Sequence, residues 1–282
     1  MLLDLSLEYK PDVVVSIVGP SRSGSTVFKH ALCLHPELTS LAGEEEPYYK
    51  LAKNGYPWHK SDAFEKLKNP ELVRACIANE LLGSHVMNLS NRLWLQRKNI
   101  EEPPFVTVPD SRRVTSILVL KTPQNVYRRG IIEQLYPRVP VKHIVMNRPG
   151  PEVVNGLIDG WLSPYFTARK LSKPMMLDGQ EYPWWKFDMP PGWGLCNSVV
   201  DAAVMQYSQA MRFASDYYPW AYQAYYQDIL VNWRHAVGEV WKWLGLTPYA
   251  VPSDTELPTL MATDLGGPGR WKEKRPWLAD LI

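Results

Sequence analysis

The chain has 282 residues, with 31 Lys plus Arg against 29 Asp plus Glu and a formal net charge of +2. That length is enough for one large α/β core, and the balanced charge excludes a broad nucleic-acid footprint while leaving room for a local anion pocket. Cys33, Cys76 and Cys196 are far apart without CxxC spacing, which argues against a disulfide scaffold and suits a reducing compartment.

The chain opens with "MLLDLSLEYKPD", which carries acidic residues and no long apolar core, so no secretion signal is expected. No run approaches the roughly 20 apolar residues that span a bilayer. A cytoplasmic setting without a membrane span is therefore expected. Residues 13–18, "VVVSIV", read as a buried strand stopped by Gly19-Pro20. A helix is expected over 24–35, a short strand at 39–41, and a helical stretch over 60–83 broken near Asn69-Pro70. Residues 101–113 are rich in loop formers. "TSILVLKTP" gives a third strand closed by Pro123, "NVYRRGIIEQLYP" a helix, and "VKHIVMNRPG" a fourth strand.

Residues 151–163 read as helix. Residues 164–197 hold five prolines, little periodicity and the tryptophans Trp184, Trp185 and Trp193. An irregular functional loop is expected there. A helix over 198–216, a strand in "WAYQAYY" and a helix ending at Gly245 follow; the tail past Pro248 reads as irregular. Strands alternating with helices predict an α/β domain with a mostly parallel central sheet covered on both faces. No repeat or linker divides the chain, so residues 1–282 read as a single domain. The sequence carries no signal of oligomeric state.

The first turn deserves a chemical reading. "GPSRSGST" lies between a strand and a helix, where unpaired N–H groups and the helix dipole favour an anion. Ser21, Ser23, Ser25 and Thr26 add hydroxyls, and Gly24 permits close backbone approach. Arg22 adds a forked cationic donor. A triphosphate-binding loop would place Lys directly after the last Gly; here Ser25 stands there.

"GPSRSGSTVFKHALCLHPELTSLAGEEEP" resembles the opening of sulfotransferases that use 3′-phosphoadenosine 5′-phosphosulfate (PAPS), in the branch with the tyrosylprotein enzymes and bacterial relatives. Three further segments resemble that family in order: "LVLKTPQNVYRRGIIEQLYPRVPVKHIVMNRPGPEVV", "YYQDILVNWRHAVGEVWKWLGL" and "GRWKEKRPWLADL". The resemblance covers most of the chain apart from about residues 50–110 and 164–200. It implies a P-loop NTPase-like fold, a single sulfotransferase domain, and an acceptor-binding insertion around 164–200.

The resemblance also implies roles. Residues 21–26 would bind the 5′-phosphosulfate, Arg148 the 3′-phosphate, and Arg270 and Lys272 would close over the nucleotide. The family has Ser eight positions after that Arg, where this sequence has Gly156, so Asn155 is the substitute donor. Lys121 and Arg22 would stabilise charge on the sulfuryl and bridging oxygens. Glu45 would take the acceptor's proton, with Glu44 and then Glu46 as alternatives. No metal site is expected, since no His, Cys and Asp residues cluster with ligand spacing. His59 and His85 are weak acceptor-site candidates, and His143 reads as packing. The acceptor expected is the hydroxyl of a small metabolite, lipid or saccharide. The competing readings are a P-loop nucleotide kinase and a non-catalytic nucleotide-binding protein.

Overall fold

The computed structural model describes residues 7–52, 67–82, 114–163, 169–185, 192–257 and 269–280. Five strands form one parallel sheet. They are β1 (Val13–Val18), β2 (Leu38–Ser40), β3 (Ile117–Lys121), β4 (Val141–Asn147) and, fifth in that sheet but seventh along the chain, β7 (Tyr222–Tyr225). Their order is β2-β3-β1-β4-β7, so β1 is central, with β3 and β4 on its two sides. The chain is thus an α/β protein with a parallel sheet and a strand–turn–helix at its centre, as expected.

The apolar run of β1 splits by parity. Val15 and Ile17 face one side, with Phe28 and Leu32 of α1 (Ser25–Leu32) and Val237 and Trp241 of α7 (Tyr226–Leu244). Val14 faces the other, with Tyr48 and Tyr49 of α2 (Glu46–Leu51), Ile77 of α3 (Pro70–Leu82) and Ile131 of α4 (Ile131–Leu135). Val18 joins Ala210 and Ala214 of α6 (Val199–Tyr217) on that same side. A strand that is apolar on both faces needs helices on both faces, and this one has them.

Two expectations about local structure are corrected. "NVYRRGIIEQLYP" is not one helix: a 3-10 turn spans Pro123–Tyr127 and α4 begins only after Gly130, whose φ of 70° breaks the run. The stretch 164–197 is not merely irregular either. It holds an antiparallel hairpin, β5 (Arg169–Leu177) with β6 (Gln180–Trp185). Asp178 and Gly179, at φ 49° and 77°, make its two-residue turn. Pro174 falls where the register shifts between Lys170 and Met175, the irregular position where a residue without an N–H is tolerated. The expected break near Asn69-Pro70 is the start of α3, with Pro at the first position; the part of that stretch before residue 67 lies outside the described residues.

The hairpin forms its own packed layer. Leu171, Met175 and Leu177 meet Val153, Leu157 and Trp161 of α5 (Gly150–Leu162) and Val199 and Ala203 of α6. Trp184 and Trp193 pack partly buried against the same cluster. Trp161 is its largest buried side chain and meets the Tyr182 ring edge-on at 6.2 Å. Removing it leaves a cavity between helix and hairpin. Trp161→Ala should cost about 3–5 kcal/mol, read as a lower urea midpoint with an unchanged m-value. A loss below about 1 kcal/mol would mean that the layer does not share the main core's cooperativity.

Candidate functional site

The turn from β1 to α1 crosses the carboxyl edge of the sheet, where ligands of open parallel sheets sit. Arg22 and Gly24 both have positive φ, 71° and 88°. Gly24 is the N-cap of α1 and has no side chain to accept from the helix's first N–H groups. Those of Ser25 to Val27 cannot be taken by an intrahelical carbonyl. An acceptor from outside the helix can take them, and the dipole favours an anion there. Ser23 is fully buried, and its hydroxyl makes no hydrogen bond among the described residues. A Cβ at Gly24 would lie 2.2 Å from Cδ2 of Tyr226, so only glycine lets that ring close against the turn.

The neighbouring strands deliver cations to both ends of the turn. Lys121, the last residue of β3, donates from Nζ to Thr26 Oγ1 at 3.0 Å. Arg148, just past β4, donates from Nη1 to the Arg22 carbonyl at 2.9 Å. Arg148 also pairs through Nε with Glu152 Oε2 at 2.9 Å and lies over the Tyr226 ring, 4.3 Å from its centroid. The structure therefore brings Ser21 to Thr26, Lys121 and Arg148 into one site.

The glutamates following β2 divide. Glu44 forms an ion pair with Lys121, whose side chain is almost wholly buried. Glu45 is fully buried. Its Oε1 accepts from Asn125 Nδ2 at 2.7 Å and from the Tyr49 hydroxyl at 3.4 Å. Its Oε2 makes no well-formed hydrogen bond, with Thr122 beside the carboxyl. Burial pushes the Glu45 carboxyl above the usual carboxylate range, against the opposing pull of hydrogen bonds. Glu46 opens α2.

Sequence reasoning missed the supports of this segment. Lys29, buried on α1, donates from Nζ to the carbonyls of Leu41, Ala42 and Gly43 at 2.7, 3.2 and 3.1 Å. Burial, reinforced by Lys121, lowers its pKa to about 8. Glu80, buried on α3, accepts from the Ala42 N–H at 2.7 Å and from the Tyr48 hydroxyl. Asn125 is fixed in turn by Arg128, whose Nη1 donates to its Oδ1 at 3.2 Å. The charge of Lys29 within "VFKHAL" carries no signal by itself, because a lone charge in a helix reads as a solvated face.

The far side of the turn faces α5. A Cβ at Gly156 would meet Arg22 Cβ at 3.3 Å and its Cγ and Nε at 3.8 Å. Asn155 accepts from Arg275 Nη1 at its Oδ1, and its Nδ2 donates to Asp159 Oδ2 at 3.3 Å. Arg275 also reaches Asp159 Oδ1 at 2.9 Å, and Lys274 lies 3.5 Å from Oδ2. The tail is thereby fastened to α5 through α8 (Trp271–Lys274). Arg270 sits at the N-cap of α8, and Lys272 follows within it. Gly269 N–H donates to Glu152 Oε1 at 3.4 Å, which brings this segment beside the Arg148 partner. Arg275 was not among the residues expected from the sequence.

Elsewhere, His143 pairs through Nε2 with Glu133 at 2.7 Å and packs on Tyr218, well inside the fold. His35 closes on the Thr247 carbonyl at 2.8 Å, a structural tie between α1 and the segment after α7. His59 and His85 lie outside the described residues. Among the described residues no helix is long and apolar enough to cross a membrane.

No family model and no curated protein matches the chain. Solved structures do. The sulfotransferase domain from the Synechococcus PCC 7002 olefin synthase shares 15% identity, covering 88% of this chain and 78% of that one, with a TM-score of 0.42. A sulfotransferase from Alicyclobacillus acidocaldarius shares 14%, over 96% and 92%, at 0.45. The sulfotransferase domain from the curacin biosynthetic pathway shares 15%, over 86% and 76%, at 0.38. No functional residue is carried across at these identities.

The raised Glu45 carboxyl has a consequence for stability. The folded chain holds that proton more tightly than the unfolded chain. The group's contribution is therefore fully present below the ordinary carboxylate range and is lost as pH rises from that range through the raised folded value. Glu45→Gln keeps an oxygen for Asn125 and removes the buried charge. Its urea midpoint relative to wild type should rise between pH 4 and pH 8. A difference that is flat with pH would show that the carboxyl is not raised.

Proposed function

We propose that the chain is a PAPS-dependent sulfotransferase acting on a hydroxyl acceptor. The observation that carries this reading is the pair of cations that hold the turn at 21–26 from both sides, Lys121 on Thr26 and Arg148 on Arg22. A magnesium-dependent phosphoryl site would place a lysine after Gly24 and a metal-holding carboxylate at a neighbouring strand end. Here β3 ends in Lys121 and Arg148 follows β4, so the strand ends offer cations to anionic oxygens.

The residues present fit such a nucleotide. The helix-start amides, the buried hydroxyl of Ser23 that lacks a partner, Ser25 and Thr26 would hold the phosphosulfate end. Arg148 and Asn155 would hold the 3′-phosphate end, with Arg270 and Lys272 closing over it. The bound nucleotide supplies an activated sulfuryl group; the chain supplies positioning and prearranged charge.

Lys121 stabilises negative charge developing beside Thr26. Glu44 keeps that ammonium in place. Glu45 takes the acceptor's proton at Oε2, the oxygen that makes no well-formed hydrogen bond, while Asn125 holds Oε1. Burial brings its affinity for a proton closer to the working range of a base. The acceptor is a metabolite, lipid or saccharide hydroxyl, and the hairpin region within 164–200 borders its entry. A cytoplasmic setting matches the dispersed, unpaired thiols of Cys33, Cys76 and Cys196.

Transfer from radiolabelled PAPS to a panel of alcohols, sugars and lipid hydroxyls tests this reading. Wild type should label at least one acceptor class. Lys121→Ala should lower kcat by about a hundredfold or more, as loss of a preorganised charge does, and Glu45→Gln by about 10²–10⁴-fold. Labelling that survives both substitutions unchanged would exclude this assignment of roles.

A further inference from the structure

Asn125 lies on the 3-10 turn that follows β3, and its backbone is pinned. Its carbonyl accepts from the Arg128 N–H at 3.0 Å and from the Tyr218 hydroxyl at 3.1 Å, and its N–H donates to the Thr122 carbonyl at 2.9 Å. The side-chain amide alone keeps a choice of direction. It stands between two buried groups, the Arg128 guanidinium and the Glu45 carboxyl. Its two ends are nearly equal in size and opposite in hydrogen-bonding sense.

A guanidinium only donates. The end of the amide that faces Arg128 Nη1 is therefore Oδ1, at 3.2 Å, and the end that faces Glu45 Oε1 is Nδ2, at 2.7 Å. Arg128 also reaches that carboxyl oxygen by a second route. Its guanidinium carbon lies 5.5 Å from the centre of the Tyr49 ring, and the Tyr49 hydroxyl donates to Oε1 at 3.4 Å. Among the described residues, Asn125 and Tyr49 are the side chains that donate to Oε1, and both touch Arg128.

Resting on the role proposed for Glu45 above, we infer that Arg128 is a positioning residue for the reaction: it fixes the direction of the Asn125 amide, and that direction keeps the buried Glu45 carboxyl able to accept a proton. With a side chain at position 128 that can also accept, the amide is free to turn over. Asn125 then offers Oδ1 to Glu45. An oxygen facing a carboxyl holds it as the neutral acid, which donates. A neutral acid takes no proton from an acceptor hydroxyl.

The surroundings make this one contact decisive. Burial is the largest influence on the Glu45 carboxyl and raises its hold on a proton; the neighbouring charge of Glu44 acts in the same sense. Its own backbone N–H, Thr122 and Asn125 oppose them. Tyr49 and Tyr136 also face the group, and burial pushes both hydroxyls up, so neither supplies a charge near neutral pH. Lys121, the nearest ammonium on this side, is paired with Glu44. The amide is thus the route by which a permanent cation bears on Glu45.

Nuclear magnetic resonance with labelled glutamate carboxyls and asparagine amides tests this on the intact chain. In wild type the Asn125 Nδ2 signal should move as the Glu45 carboxyl titrates. An Nδ2 signal indifferent to that titration would overturn the inference without any substitution. Arg128→Gln keeps a hydrogen-bonding partner and loses the donor-only constraint. Glu45 should then hold its proton about 10–100-fold more tightly, the scale of one charge-assisted hydrogen bond. Arg128→Lys again offers donors only and should recover most of that change. Equal changes in the two variants, or none in either, would reduce Arg128 to packing and overturn the inference. In transfer from PAPS, Arg128→Gln should move the acid limb of kcat to higher pH and leave KM for PAPS in place. If wild type transfers no sulfuryl group while the titrations follow this pattern, the function proposed above fails and the control of Glu45 by Arg128 stands.

Discussion

Lys121 and Arg148 hold the two ends of the turn between β1 and α1, one on the Thr26 hydroxyl and the other on the Arg22 carbonyl. That constraint organises the molecule. β1 must be central, because only then do β3 and β4 flank it and deliver a cation to each side. β1 must also be apolar on both faces, because helices cover both. Gly24 must lack a side chain, because the Tyr226 ring occupies the space. That ring in turn lies beneath Arg148. The turn and the core are thus one construction, and the start of α1 points its first N–H groups out of the helix.

The glutamate segment obeys a related rule. The carbonyls of residues 41–43 follow a three-residue strand and have no ladder partner. Lys29 has three N–H donors and spends them on those three carbonyls. Glu80 takes the Ala42 N–H from the other side. A buried charge is tolerated where it is paired and fully hydrogen-bonded. The segment that carries Glu44 and Glu45 is consequently fixed from behind, while Asn125 fixes Glu45 from the side.

Much of this was legible in the sequence, for physical reasons. Short β-branched runs stopped by Gly-Pro, Lys-Thr-Pro and Asn-Arg-Pro marked three strands of a parallel sheet, and their ends marked Lys121 and Arg148. The hairpin was hidden because prolines and tryptophans masked its alternation, although Asp178-Gly179 is the dipeptide that a two-residue turn requires. The helix expected over 125–137 failed at Gly130 for a comparable reason: one left-handed residue outweighed the apolar pattern around it. Lys29 and Glu80 were illegible because a lone charge in a helix reads as a solvated face until its burial is known. The placement of Arg22 against Gly156 joins residues far apart in sequence, and no local pattern reports it.

The central claim is that the amides starting α1 take an anion between two cationic strand ends. Hydrogen exchange at residues 22–28, with and without adenosine 3′,5′-bisphosphate, measures this directly. Binding should slow exchange there, with accompanying protection at the start of α5. Saturable binding that leaves those amides exchanging at their original rate would contradict the account.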